Sequence, residues 1–426
     1  MTAVAGIRRR FGPAALMGGG LLVVGIAGYG FIALAGRTLS TSDAAAVSSL
    51  YLLINIIGPG VFVALEQETS RSVSASLAGG GAATPIARRA AALAGLLLLG
   101  VLVVLVAVSP VLVHRVLGGH WSLLGAVLLG TTTSAMVYLV RGVLGGSRRF
   151  AGYSATLALE GAARLVPCVA VAASGAPGAT VYALLFAAGS AVGAAAGVPW
   201  LRHLDGPDGA LDRPVPGSLG RMARATVVLA GSTLLSQLVA NLAPIVVSSR
   251  LAGDTATAAA FTSAFILVRI PFFLFAPVQA MLLPTLTAAA TTGRLAAFRR
   301  TLRLILTVIA AVGVPGAIAS LLIGPLAVQV LFGAHVRLSG PLLGVLGIGT
   351  IGLMVAQVLQ PALVALGRHA VVTTAWLAGS VVLTGLLFLP GNPVVVAVVA
   401  QLVGSIVVVA VMARAVTTAS LGSPNG

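Results

Sequence analysis

The residues best suited to chemistry in this chain are the few charged and amide side chains inside long apolar stretches. Arg269 is the clearest, because it lies twelve residues into the apolar run 257–287 and close to Pro271. No acid stands beside it in sequence, so its guanidinium could hold a phosphate or a carboxylate through paired hydrogen bonds. The alternatives are an ion pair with an acid on another helix, such as Glu160, or a side chain that reaches to the membrane interface.

A second candidate is a charged pair in the apolar run 153–174. Glu160 and Arg164 are four residues apart, so on a helix they share one face and can neutralise each other. One interpretation is a purely structural pair. The other is a proton or cation site at Glu160, whose ionisation depends on the neighbouring Arg164.

Amide side chains inside other runs are candidates for the wall of a cavity. Asn241 and Gln237 are one helical turn apart in the run 223–248, and Asn55 lies in the run 44–66. Such amides either line a cavity or form hydrogen bonds between helices.

A cluster of charges closes the second apolar run in the segment LEQETSR. Glu66, Glu68 and Arg71 are candidates for a cytoplasmic gate network, and an exposed helix end is the alternative. In the sixth run, Gly189, Gly193 and Gly197 form a face of small residues at helical spacing, which predicts close helix packing.

The composition says what kind of molecule must position these residues. The 426 residues are 58% hydrophobic and only 8% charged, and the mean hydropathy is +1.10. Soluble domains carry about 25% charged residues, so a water-soluble enzyme is excluded. The sequence predicts an all-α polytopic membrane protein with about 12 transmembrane helices, each of about 20 residues.

Apolar runs of spanning length divide the chain evenly. The first run is too long for the apolar region of a signal peptide, and no convincing A-x-A cleavage site follows it, so we interpret it as a spanning helix. The runs are 13–36, 44–66, 89–110, 121–141, 153–174, 179–200, 223–248, 257–287, 302–323, 339–364, 370–389 and 394–413.

The positive charge is distributed as in a bacterial inner-membrane protein. The net charge is +17, and all 25 basic residues are arginine. With a cytoplasmic N-terminus, 19 arginines lie in cytoplasmic segments and four in outer loops, which predicts that both termini are cytoplasmic. Because the arginines stand in small groups between apolar runs, we expect a lipid bilayer as partner and no nucleic acid.

The two halves resemble each other. AAAVSSLYLLIN (44–55) aligns with AAAFTSAFILVR (258–269) at five identical positions of twelve, which makes Asn55 the counterpart of Arg269. Parallel repeats are typical of transporters. We expect two six-helix bundles around a central cavity: residues 1–200, a cytoplasmic linker at 201–222, and 223–426 with a short cytoplasmic tail.

Enzymatic motifs are absent from the sequence. The chain has no lysine for a Walker A loop, no HExxH and no GxSxG, and its one cysteine excludes a CxxC site. We therefore expect no catalytic residues, no metal site and no bound cofactor, with H⁺ or Na⁺ coupling as the open possibility. A membrane enzyme or a scaffold of glycan assembly is the alternative from another functional class.

Three stretches carry a resemblance to a known family. They are 36–71, 141–166 (RGVLGGSRRFAGYSATLALEGAARLV) and 235–287. They are similar to the polysaccharide transporters, the lipid-linked oligosaccharide flippases of the multidrug/oligosaccharidyl-lipid/polysaccharide (MOP) exporter superfamily. The shared features are an outer loop before the second and eighth helices, an Arg-Gly start after the fourth, and a Leu-Pro end of the eighth.

The resemblance implies a function. It implies export of a polyprenyl-diphosphate-linked oligosaccharide from the inner to the outer leaflet for cell-surface polysaccharide biosynthesis, with Arg269 at the anionic head group. A glycan polymerase or glycosyltransferases are the protein partners it suggests. The alternative within the superfamily is a cation-coupled exporter of small amphipathic compounds, which usually carries an unpaired acid in its cavity. Glu160 has Arg164 on its own face.

Overall fold

The structure is a computed structural model that describes residues 2–202, 204, 219–272, 286 and 295–421. Twelve of its helices are long and apolar enough to cross a membrane. We number them α1 (Thr2–Thr38), α2 (Thr41–Ala78), α3 (Thr84–Ala107), α4 (Trp121–Gly146), α5 (Phe150–Ala173), α6 (Ala179–Gly197), α7 (Leu219–Arg250), α8 (Thr255–Leu267), α9 (Leu295–Leu322), α10 (Gly340–Ala365), α11 (His369–Leu387) and α12 (Pro393–Leu421).

The predicted all-α membrane fold is confirmed. Each apolar run overlaps one long helix, and no strand occurs in the described part of the chain. Two shorter helices, Ser109–Arg115 and Gly324–Phe332, follow α3 and α9. The second half of the run 257–287 lies almost entirely outside the described residues.

Helix α2 changes its winding in the middle. Its first part, Thr41–Ile57, continues through a π-helical segment, Gly58–Phe62, into Val63–Ala78. Pro59 has no backbone N–H to donate in this segment. Separately, the carbonyl of Gly60 accepts a hydrogen bond from the Thr233 hydroxyl of α7 at 2.5 Å. Such π-segments often lie at functional sites.

The second helix of each sequence half begins in a similar way. The Ser40 hydroxyl accepts a hydrogen bond from the backbone N–H of Asp43 at the start of α2, and Asp254 accepts one from that of Thr257 at the start of α8. These are helix N-caps. The hydrogen bonds from Thr257 lower the pKa of the exposed Asp254 carboxyl.

The chain forms two compact units, Met1–Gln237 and Leu238–Gly426, which we call the N-terminal and C-terminal units. Helix α7 contributes residues to both. The predicted linker 201–222 stays a prediction, because residues 203 and 205–218 lie outside the described residues.

Equivalent helix pairs pack together in the two units. In the N-terminal unit α6 packs on α4 and α5, and α3 packs on α4; in the C-terminal unit α12 packs on α10 and α11, and α9 packs on α10. Counting from the start of each sequence half, these are the same three pairs. The pairing supports the internal repeat that the sequence windows indicate.

The glycine face of α6 brings three helices of the N-terminal unit close together. A Cβ at Gly193 would lie 2.9 Å from the Cβ of Glu160 and from the carbonyl oxygen of Thr156, and one at Gly197 would lie 2.4 Å from Val140. The predicted small-residue face is therefore in contact with α5 and α4. This close approach places polar side chains of the three helices within hydrogen-bonding distance.

Candidate functional site

The N-terminal unit buries three charges where α4, α5 and α6 meet. Arg164 Nη2 lies 2.7 Å from Glu160 Oε1, and Arg141 Nη2 donates to Glu160 Oε2. The side chains of Arg141 and Glu160 are each 5% exposed, and that of Arg164 is 12% exposed. One carboxylate is thus held between two guanidinium groups.

Neutral side chains complete this charge cluster. The Ser190 hydroxyl donates to Glu160 Oε1 at 2.6 Å, and Arg164 Nη2 lies 2.8 Å from the Ser190 oxygen. Arg141 Nε donates to the Thr156 hydroxyl at 2.9 Å. A buried charge is tolerated only when it is paired and its remaining hydrogen-bonding capacity is used. Both oxygens of Glu160 meet this condition.

Aromatic rings cover the two arginines. The Arg164 guanidinium lies 4.4 Å from the ring centroid of Phe186, and that of Arg141 lies 5.7 Å from the ring centroid of Tyr138. Both distances are within the range of cation–π attraction, which strengthens where water is excluded. The cluster is therefore built as a packed element of the helix bundle.

Arg141 is the residue that sequence reasoning missed. Its position at the end of the run 121–141 predicts a loop arginine, but α4 continues to Gly146 and buries the side chain. The segment GVLGG after it carries no charge, so the uncharged stretch extends beyond the run, although its glycines disfavour a helix. With two arginines on Glu160, the carboxylate has less capacity to take up a cation than a pair with Arg164 alone implies.

The cytoplasmic gate candidates on α2 fall into two separate contacts. Arg71 donates two hydrogen bonds to Glu68, from Nε to Oε2 at 2.8 Å and from Nη2 to Oε1 at 2.5 Å. The Ser72 hydroxyl donates to Oε1 of the same carboxylate at 3.0 Å. Glu68 is buried, while Arg71 is exposed. Glu66 instead accepts a hydrogen bond from the Tyr153 hydroxyl of α5 at 2.6 Å. The two acids are therefore not a simple exposed helix end.

The C-terminal unit places Arg269 where α8 stops being regular. The helix ends at Leu267, and the backbone N–H of Arg269 donates to the Ile266 carbonyl in a turn. The guanidinium donates to Asn241 Oδ1 at 2.9 Å and to the carbonyl of Ala240, and it lies 4.1 Å from the ring centroid of Phe265. Two predicted candidates, Arg269 and Asn241, are thus in direct contact.

Pro244 explains why the Ala240 carbonyl accepts a side chain. In an α-helix the carbonyl of residue 240 accepts from the N–H of residue 244, and proline has none. Arg269 supplies the missing donor from α8. One turn of α7 therefore depends on a charged side chain of another helix for its backbone hydrogen bonding.

The remaining amide candidates are Asn55 and Gln237. Asn55 is half-buried in the N-terminal unit, and its Nδ2 donates to the Tyr51 carbonyl of its own helix at 2.8 Å. Gln237 is half-buried on α7. Gln401, another amide inside an apolar run, is buried on α12, and its Nε2 donates to the Val239 carbonyl of α7 at 3.1 Å. Polar contacts therefore concentrate around residues 239–241.

The described residues contain no group of three or more His, Cys, Asp or Glu side chains that could hold a metal ion. Cys168 is a buried free thiol.

Comparison with known proteins gives similarity in structure and none in sequence families. No protein-family model matches the chain, and no curated protein matches it. An inward-facing multidrug resistance MATE family transporter of the MOP superfamily matches with a TM-score of 0.75 at 15% identity, over 95% of this chain and 96% of that one.

Two further solved structures match over nearly their whole length. The MATE transporter VcmN of Vibrio cholerae gives a TM-score of 0.64 at 16% identity, over 98% of this chain and 99% of that one. A MOP superfamily transporter from Pyrococcus furiosus, whose binding pocket is described as having reverse polarity, gives 0.60 at 15% identity, over 96% of each chain. The chain therefore has the fold of the MATE transporters of the MOP superfamily.

Proposed function

We propose that the protein is an alternating-access transporter that moves a polyprenyl-diphosphate-linked oligosaccharide from the inner to the outer leaflet. The transporter part of this proposal is supported by the fold and by the twelve apolar helices. The substrate part rests on the resemblance to lipid-linked oligosaccharide flippases and on the chemistry of Arg269. The proposal includes the glycan polymerase or glycosyltransferases as partners in cell-surface polysaccharide biosynthesis.

The observation that carries the substrate class is the setting of Arg269. Its guanidinium lies within an apolar helical region and donates to an amide oxygen and a backbone carbonyl. Both acceptors are neutral, so each is a weaker partner than a phosphate oxygen. A diphosphate entering this region would be a stronger acceptor for the same N–H groups.

A diphosphate head group needs such a partner to cross the membrane. The hydrocarbon core is about 30 Å thick, and a bare charge inside it is costly. A guanidinium would offset the charge of the diphosphate while the polyprenyl tail stays in lipid. The planar group also suits phosphate geometry, because it presents two parallel N–H donors.

The second candidate function is cation-coupled export of small amphipathic compounds. A specific observation favours it, because the first two of these solved structures are named as multidrug resistance or MATE transporters. The Pyrococcus furiosus transporter is described as having a binding pocket of reverse polarity that suggests a different function, so the fold alone does not select between the two candidates. The buried acid Glu160 is held by Arg141 and Arg164, which argues against it as the binding group for a cationic compound.

A reconstituted flipping assay tests the proposal. Purified protein is placed in liposomes with a polyprenyl-diphosphate oligosaccharide, and a membrane-impermeant glycosidase reports the leaflet. We expect flipping with the native chain, strong loss with Arg269→Ala and partial loss with Arg269→Lys, since lysine keeps the charge without the paired donors. Arg299→Ala is the matched control, because Arg299 is an exposed arginine in the same unit, and we expect it to retain flipping.

The outcomes separate the two candidate functions. Unimpaired flipping by a folded Arg269→Ala variant would overturn the site assignment. Absence of flipping with several glycans, together with ion-driven efflux of a cationic dye, would support the multidrug candidate instead. In that case Arg269→Ala should leave the efflux intact.

A further inference from the structure

Glu66 differs from the other described acids of the spanning helices because no basic side chain pairs with it. Glu68 and Glu160 are held by arginines, and Asp43 lies 3.2 Å from His120 Nε2. Within the described residues, Glu66 makes no ion pair. Among the described side chains, its hydrogen-bond partner is the Tyr153 hydroxyl, at 2.6 Å.

Glu66 lies beside the buried charge cluster without joining it. A Cβ at Gly142 of α4 would lie 2.9 Å from the Glu66 carbonyl oxygen and 2.8 Å from the Thr69 Cβ, so the helices α2 and α4 touch at this level. The charged and titratable groups near Glu66 come from α4 and α5: Tyr138, Arg141, Tyr153 and Glu160. Helix α2 itself carries Glu68 and Arg71. Helix α3, which packs on this part of α2, carries Arg88 and Arg89.

The charge balance makes both forms of Glu66 acceptable. Arg141, Arg164 and Glu160 together carry one net positive charge, and an ionised Glu66 would neutralise it at short range. A protonated Glu66 would remove the cost of keeping a charge in a half-buried position, and it can still accept from the Tyr153 hydroxyl.

We propose that Glu66 is the site that binds and releases the coupling proton of the transport cycle, with Tyr153 as the residue that positions its carboxyl group. A proton from one aqueous side converts the carboxylate to the acid, and the acid returns the proton to the other side. This proposal rests on the proposed transport function. It assigns proton coupling to Glu66 rather than to Glu160, which two arginines hold. It does not depend on the substrate.

The winding of α2 gives proton binding a structural consequence. Glu66 lies four residues after the π-segment Gly58–Phe62, on the part of the helix that packs on α4 and is bonded to Tyr153 of α5. Protonation removes the attraction between Glu66 and the net positive cluster. Attachment of this part of α2 to α4 and α5 therefore weakens, and the π-segment is where the helix can absorb a change in direction.

Infrared difference spectroscopy on the full chain in nanodiscs tests the proton site without any substrate. As the pH is lowered, the native protein should gain the carbonyl band of a protonated carboxylic acid. Glu66→Gln, which keeps the shape and the acceptor for Tyr153, should remove that band. Tyr153→Phe should keep the band and shift its midpoint, and Asp254→Asn, an exposed acid outside the spanning segments, is the matched control.

Transport then shows whether this proton is the coupling proton. In proteoliposomes with a pH gradient, Glu66→Gln should abolish the dependence of flipping on the gradient while flipping without a gradient persists. Persistence of both the infrared band and the gradient dependence in a folded Glu66→Gln variant would overturn the proposal. Loss of all flipping in the native chain, with the band still assigned to Glu66, would overturn the flippase function and leave the proton site standing.

Discussion

At the scale of single residues, the burial of Glu160 between two arginines decides its role. A carboxylate with two guanidinium partners and a serine donor has its hydrogen-bonding capacity filled. Removing one member of such a group leaves an uncompensated buried charge. The residue therefore contributes to stability first, and any part in transport is secondary.

The corresponding prediction concerns unfolding. Glu160→Gln should destabilise the protein by about 3–5 kcal/mol, because Arg141 and Arg164 then face each other without an anion. Ser190→Ala should cost about 1 kcal/mol, since it removes one hydrogen bond. Thermal unfolding in detergent measures both. Unchanged stability of Glu160→Gln together with lost ion coupling would instead identify Glu160 as a cation site.

At the scale of helices, the two proline-containing spans α2 and α7 are supported by side chains from other elements. Thr233 donates to the Gly60 carbonyl in α2, and Arg269 donates to the Ala240 carbonyl in α7. In α7 the acceptor is the carbonyl that Pro244 leaves without its helical donor, and in α2 it is a carbonyl of the π-segment. In α7 that donor, Arg269, is also the residue proposed to bind the substrate. A substrate that takes the guanidinium would therefore remove its hydrogen bond to the Ala240 carbonyl.

This competition predicts the effect of restoring the backbone donor. Pro244→Ala supplies an N–H to the Ala240 carbonyl, which lowers the cost of releasing Arg269 to a ligand. Because a hydrogen bond is worth about 1 kcal/mol, we expect about fivefold tighter binding of a polyprenyl diphosphate. Native mass spectrometry in detergent measures the dissociation constants, with Pro361→Ala of α10 as the matched control. Weaker binding of the polyprenyl diphosphate by Pro244→Ala would contradict this competition, because it would show that binding needs the hydrogen bond from Arg269 to the Ala240 carbonyl.

At the scale of the whole molecule, the arginine distribution predicts an orientation in the membrane. Both termini and the segments that carry Arg88 and Arg299 should face the cytoplasm, and Arg115 and Arg337 should face outward. All four side chains are exposed.

Cysteine labelling in intact cells measures this orientation. The one native cysteine, Cys168, is buried, so background labelling should be low. Arg115→Cys and Arg337→Cys should react with a membrane-impermeant thiol reagent, while Arg88→Cys and Arg299→Cys should react only after permeabilisation. The reverse pattern would invert the topology.

The sequence predicts the fold far better than the site, and the reason is physical. Apolar length is a property of each run alone, so all twelve spans overlap their runs. Side-chain partners depend on helix packing, which composition does not encode. The Glu160–Arg164 pair can be predicted from the sequence because both residues lie on one helix, four residues apart. The contact of Arg141 with Glu160 cannot, because Arg141 lies on α4, nineteen residues earlier. The contact of Arg269 with Asn241 likewise links two helices.

The glycine face of α6 has a mechanical consequence. Since Gly193 and Gly197 let α6 approach α5 and α4 closely, moving α6 away would break this packing and the Ser190 hydrogen bond to the buried Glu160. Stiffness is thus concentrated in α4, α5 and α6. Within the N-terminal unit, bending is then expected in α2, at its π-segment Gly58–Phe62, while the tightly packed helices α4, α5 and α6 keep their arrangement.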